Sequence, residues 1–246
     1  SGVIPEDGYQ GSYLVDIAAI LADAPPAVPP ATAAERAAWF RREAVERMLA
    51  LIREDLQRFG VAVDRWTFES ALYREGVVDE ALKALRAAGA LEDKAGAVWF
   101  RSKSFGDDKD RVVVREDGRP TYLAADIAYH RRKLAGGRRA VDVWGADHHG
   151  YVPRLSGALK ALGENPERLQ IVLYQLVSLS RGGAPAPMST RAGEFVTLRE
   201  VVDEVGRDAA RFFFLQRSAN SGLEFDLDLA KRQAPENPVY YVQYAH

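Results

Sequence analysis

The sequence predicts an α/β protein: part of a doubly wound parallel sheet, preceded by a mixed helical and stranded insertion and followed by helices. Three observations carry this. Residues 139–146, "RAVDVWGA", are a near-continuous apolar run of strand length. A helical pattern, "YVPRLSGALKALG" (151–163), and a second apolar run, "RLQIVLYQLVSL" (168–179), follow it. Strand, helix-length crossover and strand imply a parallel pair, and helical periodicity dominates both ends of the chain.

The 246 residues suffice for one large domain or two modest ones. The chain is 47% apolar and 28% charged, with enough bulk for a sizeable core. A formal net charge of −2 gives no global sign of nucleic-acid binding, so such a surface would be local. There is no cysteine, which excludes disulfides, thiolate zinc sites and a Cys nucleophile. No run approaches a membrane span, and the first residues show no charged-then-apolar signal pattern. A cytoplasmic protein is the expectation.

Taken in order, "SYLVDIAAILA" (12–22) reads as a short amphipathic helix running into the Pro/Ala stretch "DAPPAVPPAT", an extended loop. From Ala33 to Phe59 apolar residues recur at helical spacing, with Gly60 as the stop. "VAVDRWTFES" (61–70) alternates like a strand, and "VVDEALKALRAAGA" (77–90) is a helix ended by Gly89. "AVWFRS" and "DRVVVRED" are short strands, the second closed by a tight turn before Pro120. "LAADIAYHRRKLA" (123–135) is helical. Past the parallel pair comes a Gly/Pro/Ala loop, "RGGAPAPMSTRAGEF" (181–195), long enough to suggest a function. "TLREVVDEVGRDAARFFFLQRS" reads as two helices broken at Gly206, and Asn237-Pro238 is an N-cap and N1 pair for a last helix. That helix meets no stop signal before His246, so the chain is expected to be cut inside it.

Three stretches offer chemistry. Gly145-Ala146-Asp147-His148-His149-Gly150 lies between strand and helix, where ligands of parallel sheets bind beside helix N-termini. A carboxylate there suits a ribose hydroxyl, and imidazoles donate or accept. The plainer reading is a capping Asp and a polar turn. A metal reading wants a third ligand, and the remaining histidines, His130 and His246, stand alone in helices. Secondly, Tyr122 and Asp126 are four apart and face one way if the helix has begun; a carboxylate beside a phenol can hold a planar guanidinium. Alternatively Asp126 is a first-turn acid and Tyr122 packs. Thirdly, Ser189, Thr190 and Arg191 on the long loop suit phosphates, or are plain surface.

Together, "GDDKDRVVVREDGRPTYLAADIAYHRRKL", "WGADHHGYVPRLSGALKALG", "PMSTRAGEFVTL", "DAARFFFLQRSANSGLEFDLDLA" and "NPVYYVQYAH" resemble the second half of the catalytic domain of bacterial arginyl-tRNA synthetases. "PEDGYQGSYLVDIA" and "AVERMLALIREDLQRFGVAVDRW" resemble their connective segment. The resemblance implies a class I, partial Rossmann-like domain. Residues 1–110 would be the connective insertion, and 111–180 the second half of the nucleotide-binding domain. Residues 181–196 would be a degenerate Lys-Met-Ser-Lys loop, and 197–246 a helical stem leading to a truncated anticodon-binding domain. It implies ATP-dependent activation of arginine to arginyl-adenylate and transfer to tRNA(Arg). Mg²⁺ would enter with ATP, with no protein-bound zinc, no membrane and a monomeric chain.

By position the resemblance assigns Tyr122, Asp126 and His148 to arginine. Gly145, Asp147, His149, Met188 and Ser189 go to ATP, and Ser189 and Arg191 to catalysis on the loop. The chain departs from the family in three ways. The His-x-Gly-His signature is absent. Pro187 and Thr190 stand where the loop carries lysines, with Arg191 or Arg181 as partial substitutes for charge stabilisation. The anticodon-binding part is missing or truncated. The isolated chain is therefore expected not to adenylate arginine. A non-catalytic module binding arginine, nucleotide or a protein partner is the alternative, and a metal hydrolase the third reading. Arg199, Arg207, Arg211 and Arg217 fall where the family approaches tRNA, or form a solvated face.

Overall fold

A computed structural model describes residues 11–23, 32–186, 188–189 and 194–246. In chain order the elements are α1 (Tyr13–Asp23), α2 (Ala33–Arg58), α3 (Glu69–Arg74), α4 (Val77–Ala87), β1 (Leu91–Lys94), β2 (Ala97–Phe100) and β3 (Arg111–Val114). Then come α5 (Tyr122–Leu134), β4 (Ala140–Gly145), a 3-10 turn (Ala146–Tyr151), α6 (Val152–Ala161), β5 (Leu169–Tyr174), β6 (Val177–Arg181) and β7 (Ala184–Pro185). The chain closes with β8 (Met188–Ser189), β9 (Glu194–Phe195), α7 (Leu198–Val205), α8 (Arg207–Leu215), β10 (Leu223–Asp226), α9 (Leu227–Lys231) and α10 (Pro238–Ala245). The chain folds as two compact units, one of Ser1–Val63, Val177–Ser218 and Gly222–His246, the other of Asp64–Leu176 and Ala219–Ser221.

In the second unit, β1–β2–β3 form an antiparallel sheet. β4 and β5 pair in parallel from Ala140 opposite Leu169 to Gly145 opposite Tyr174, with α6 as the crossover. This is the predicted strand–helix–strand unit. Its core gathers Leu85, Phe100, Val113 and Ile127, with Leu134, Leu155 and Leu159 behind the parallel pair. The strands are less buried than their composition suggests. Val141 and Val143 are 61% and 65% exposed, while Asp142 on the opposite face of β4 is buried.

In the first unit, β10 and β6 pair in parallel, Leu223 opposite Val177, joined through α7 and α8, with β7 as a short antiparallel edge. Phe213, Phe225, Leu227 and Leu179 fill the core, and Phe213 stacks on Phe225 with centroids 5.0 Å apart. A capping box between Thr32 and Glu35 starts α2. The foot of α2 is anchored by Phe59 against Phe214 and by Arg199 on Asp55 at 2.7 Å. Yet no described α2 residue is buried; Phe40, Val45, Leu51 and Ile52 are exposed.

Two expectations fail locally. Residues 61–68 form no strand, because alternation alone supplies no partner ladder; Val61 N–H donates back to Leu56 O. The run 168–179 is two strands, not one, in separate sheets. The break at Gly206 and the Asn237 cap, whose side chain accepts from Val239 N, agree with the sequence. The Pro/Ala stretch lies largely outside the described residues.

Candidate substrate site

Thr121 opens α5. Its backbone is extended, and its hydroxyl donates to Val112 O at 2.9 Å, pinning the helix start to β3. Because the helix begins at Tyr122, Asp126 lies one turn on, and both line a single cleft of about 980 Å³ in the second unit. Gly145, Trp144 and His148 line it from the strand and the turn beyond. Tyr122 is 74% exposed, whereas Asp126 is half-buried. The phenol that reaches Asp126 belongs to Tyr151, whose hydroxyl donates to Asp126 Oδ2 at 2.5 Å. Burial, and then the Asp126 carboxylate, push the Tyr151 hydroxyl well above the usual phenol range, so it stays a donor.

Tyr151 was not singled out in the sequence, since a bond over 25 residues leaves no local pattern. Behind it Arg154 stacks on the ring, 4.7 Å from the centroid. Arg154 Nε lies 3.7 Å from Asp107 Oδ2. Asp107 is also held two-fold by Arg111, at 2.8 Å and 3.0 Å. Burial would raise the Asp107 carboxyl, but the bonds from Arg111 and Asp108 outweigh it and hold it far below the usual range. Asp107, Arg111 and Arg154 line a second cleft together with Asp147 and His148. His148 thus borders both.

The corner itself is a 3-10 turn in which Asp147, His148 and His149 are exposed. His148 Nε2 stands 3.6 Å from Asp147 Oδ2, and His149 Nδ1 is 3.1 Å from Ala146 O. Neither Gly145 nor Gly150 adopts a positive φ. A Cβ at Gly145 would stand 2.4 Å from Asp147 Oδ1, because the carboxylate turns back over the strand end; that oxygen is the free end of an exposed side chain, so it can swing aside.

Met188 and Ser189 belong to the first unit, in a hairpin opposite Phe195 and Glu194, and Met188 is exposed. Pro187, Thr190 and Arg191 lie outside the described residues. Arg181 is paired with Glu204, so its charge is already engaged. In the same unit Arg199 and Arg207 sit in ion pairs, and Arg211 covers Phe59. Among the described residues no group of three or more His, Asp or Glu could hold a metal ion.

The family model described as "tRNA synthetases class I (R), catalytic domain" matches residues 34–220. An arginine–tRNA ligase of Geobacter sp. (strain M21) is 54% identical over 98% of this chain, and one of Desulforudis audaxviator 51% identical over 99%. The chain spans 44% of the length of each of these relatives. A putative arginyl-tRNA synthetase from Campylobacter jejuni superposes over the whole chain and 54% of its own, with TM-score 0.87 and 37% identity. The Thermus thermophilus arginyl-tRNA synthetase, 19% identical with TM-score 0.69, shares the fold over 83% of this chain and 44% of its own. With three-quarters of its length inside the family model and half its residues shared with these ligases, the chain belongs to the class I tRNA synthetases of the arginine type, within their catalytic domain.

Proposed function

We propose that this chain supplies the arginine-recognising wall and part of the nucleotide site of an arginine–tRNA ligase. Such an enzyme joins arginine to ATP as arginyl-adenylate and passes the arginyl group to tRNA(Arg). One observation carries the arginine half: a half-buried carboxylate, Asp126, with a phenol donor already on Oδ2, opens into a cleft floored by Trp144 and His148. A guanidinium presents paired donors, and Asp126 keeps Oδ1 and its remaining lone pairs for them. Tyr122 and His148 line the same cleft.

For the nucleotide, the reading assigns Asp147 to the ribose hydroxyls, with Gly145 and His149 beside it. Met188, Ser189 and Arg191 of the loop are assigned to the phosphates. Catalysis in this class of reaction is mainly placement of the arginine carboxylate in line with the α-phosphate, with cations stabilising developing charge. Ser189 and Arg191 serve that step, and no residue acts as nucleophile. Mg²⁺ comes with ATP as its phosphate complex, as part of the substrate, and no resident zinc is assigned. A monomer acting in the cytoplasm fits this reading. No helix among the described residues is long and apolar enough to cross a membrane.

Calorimetric titration of the chain with arginine tests this. Saturable binding is expected, weaker by at least about 100-fold in Asp126→Ala, from loss of a charged partner; unchanged affinity removes the guanidinium role. The loop sequence Pro187-Met188-Ser189-Thr190, without a lysine, favours a second reading, a non-catalytic arginine-binding module. Arginine binding with no saturable heat from ATP would select it.

A further inference from the structure

β4 carries a carboxylate that the reading above leaves idle. Asp142 stands mid-strand, 7% exposed, on the face opposite Val141 and Val143. It accepts from His130 Nε2 at 2.6 Å and from Lys133 Nζ. His130, on α5, is 4% exposed, and its Nδ1 lies 2.6 Å from the backbone oxygen of Asp126. A carbonyl oxygen only accepts, and so does an ionised carboxylate. Burial works against the Asp142 charge, but the bonds from His130 and Lys133 outweigh it and keep the carboxylate ionised. The ring therefore bridges two acceptors, the Asp126 carbonyl on one side and the Asp142 carboxylate on the other. The edges of Tyr129 and Trp144 enclose it.

This cluster is poorly explained as glue. α5 is already seated by Leu123, Ile127 and Leu134, all buried, and a buried ion pair rarely outdoes an apolar replacement in stability. What the cluster adds, which apolar contacts cannot, is a polar tie from the α5 backbone at Asp126 to β4. The bridged carbonyl belongs to the residue whose side chain faces the cleft, and the anchor is the strand that floors it.

We propose that His130 is a positioning residue of the arginine site, its ring tying the Asp126 carbonyl to Asp142 and so fixing where the Asp126 carboxylate stands. This rests on the arginine reading above. The charged and titratable groups facing the ring are Asp142 on β4, with Lys133, Tyr129 and Asp126 on its own helix. His148 and Tyr151 come from the turn after β4, and α3 brings Tyr73, itself hydrogen-bonded to Glu69, towards Asp126. Glu75, Glu80 and Glu164 lie instead by Arg131 and Arg132. β3 and α6 face α5 with apolar Val113 and Ala158.

Calorimetric titration with arginine, with thermal melts of the same samples, tests this on His130→Leu, which keeps only bulk, and His130→Gln, which keeps a hydrogen-bonding side chain. At a temperature where it is fully folded, His130→Leu should bind arginine about ten-fold more weakly, and His130→Gln should recover part of that affinity. A residue that merely supports folding would lower the melting temperature and leave the affinity of the folded chain unchanged. Affinity in folded His130→Leu within about two-fold of the unaltered chain, or no recovery in His130→Gln, overturns the proposal alone. An unaltered chain that binds no arginine overturns the arginine reading and this one together.

Discussion

Asp126 is a carboxylate whose partners come from three directions: its side chain meets Tyr151, its carbonyl meets His130, and its open side faces the cleft. The Tyr151 bond fixes the carboxylate rotamer and leaves one oxygen clear. Tyr151→Phe removes the donor and keeps the ring under Arg154, so arginine affinity should fall about ten- to hundred-fold, the worth of one hydrogen bond to a charged group. Calorimetry against arginine reads this, and an unaltered Kd would mean the phenol plays no part. Asp107 makes a prediction in pH. Its folded pKa lies below that of an unfolded aspartate, about 3.9. The carboxylate therefore stabilises the fold fully above the unfolded value, and that contribution is lost as pH falls through the depressed folded value. Asp107→Asn should lower the melting temperature at pH 7 and flatten its decline between pH 5 and pH 2, as thermal melts across that range would show. Of these residues only Asp126 was legible, because Tyr122-x-x-x-Asp126 is a helical spacing. Tyr151, Asp107 and Asp142 acquire their roles from partners that no periodicity links to them.

Elements were easier to read than the bonds between them. α4, α5, α6 and the β4–α6–β5 crossover follow from apolar period and from glycine stops, since those patterns report which face meets a core; α2 follows the same period although none of its described residues is buried. β1 escaped notice because its sequence, Leu91-Glu92-Asp93-Lys94, is that of an exposed edge, polar at three of four positions. The run 168–179 concealed its break because an apolar stretch does not record which sheet it joins. Gly157 shows what an element needs beyond propensity. It lies within α6, where glycine is otherwise unfavourable. A Cβ there would stand 3.2 Å from both Phe105 Cβ and Phe105 O, and the backbone oxygen cannot swing aside. Gly157→Ala should therefore cost about 1–3 kcal/mol through overpacking, despite the better helix propensity of alanine. Chemical denaturation gives the value, and a stabilised variant would show that the contact relaxes freely.

At the scale of the whole chain, residues 64–176 fold as one contiguous body, with Ala219–Ser221 returning to it through Gln175 N–H on Ala219 O. The first unit is assembled from both sides of that body in the sequence. It does so through contacts such as Phe59 on Phe214, which are more than 150 residues apart and leave no trace in composition or period. Every residue proposed for arginine, Tyr122, Asp126, His148 and Tyr151, comes from the second unit. Damage to the core of each unit should then have different consequences. Phe225 is fully buried in the first, and Phe225→Ala should cost that unit about 3–5 kcal/mol. Phe100, equally buried in the second and stacked on Phe105, should cost a similar amount when truncated to alanine. At a temperature where both variants remain folded, Phe225→Ala should bind arginine within about two-fold of the unaltered chain. On heating, arginine binding by Phe100→Ala should disappear along with its lowered transition, because ligand can only hold the unit that binds it. Paired calorimetric scans and titrations of the two variants provide the comparison. A ten-fold loss of arginine affinity in Phe225→Ala would show that the site draws on the first unit as well.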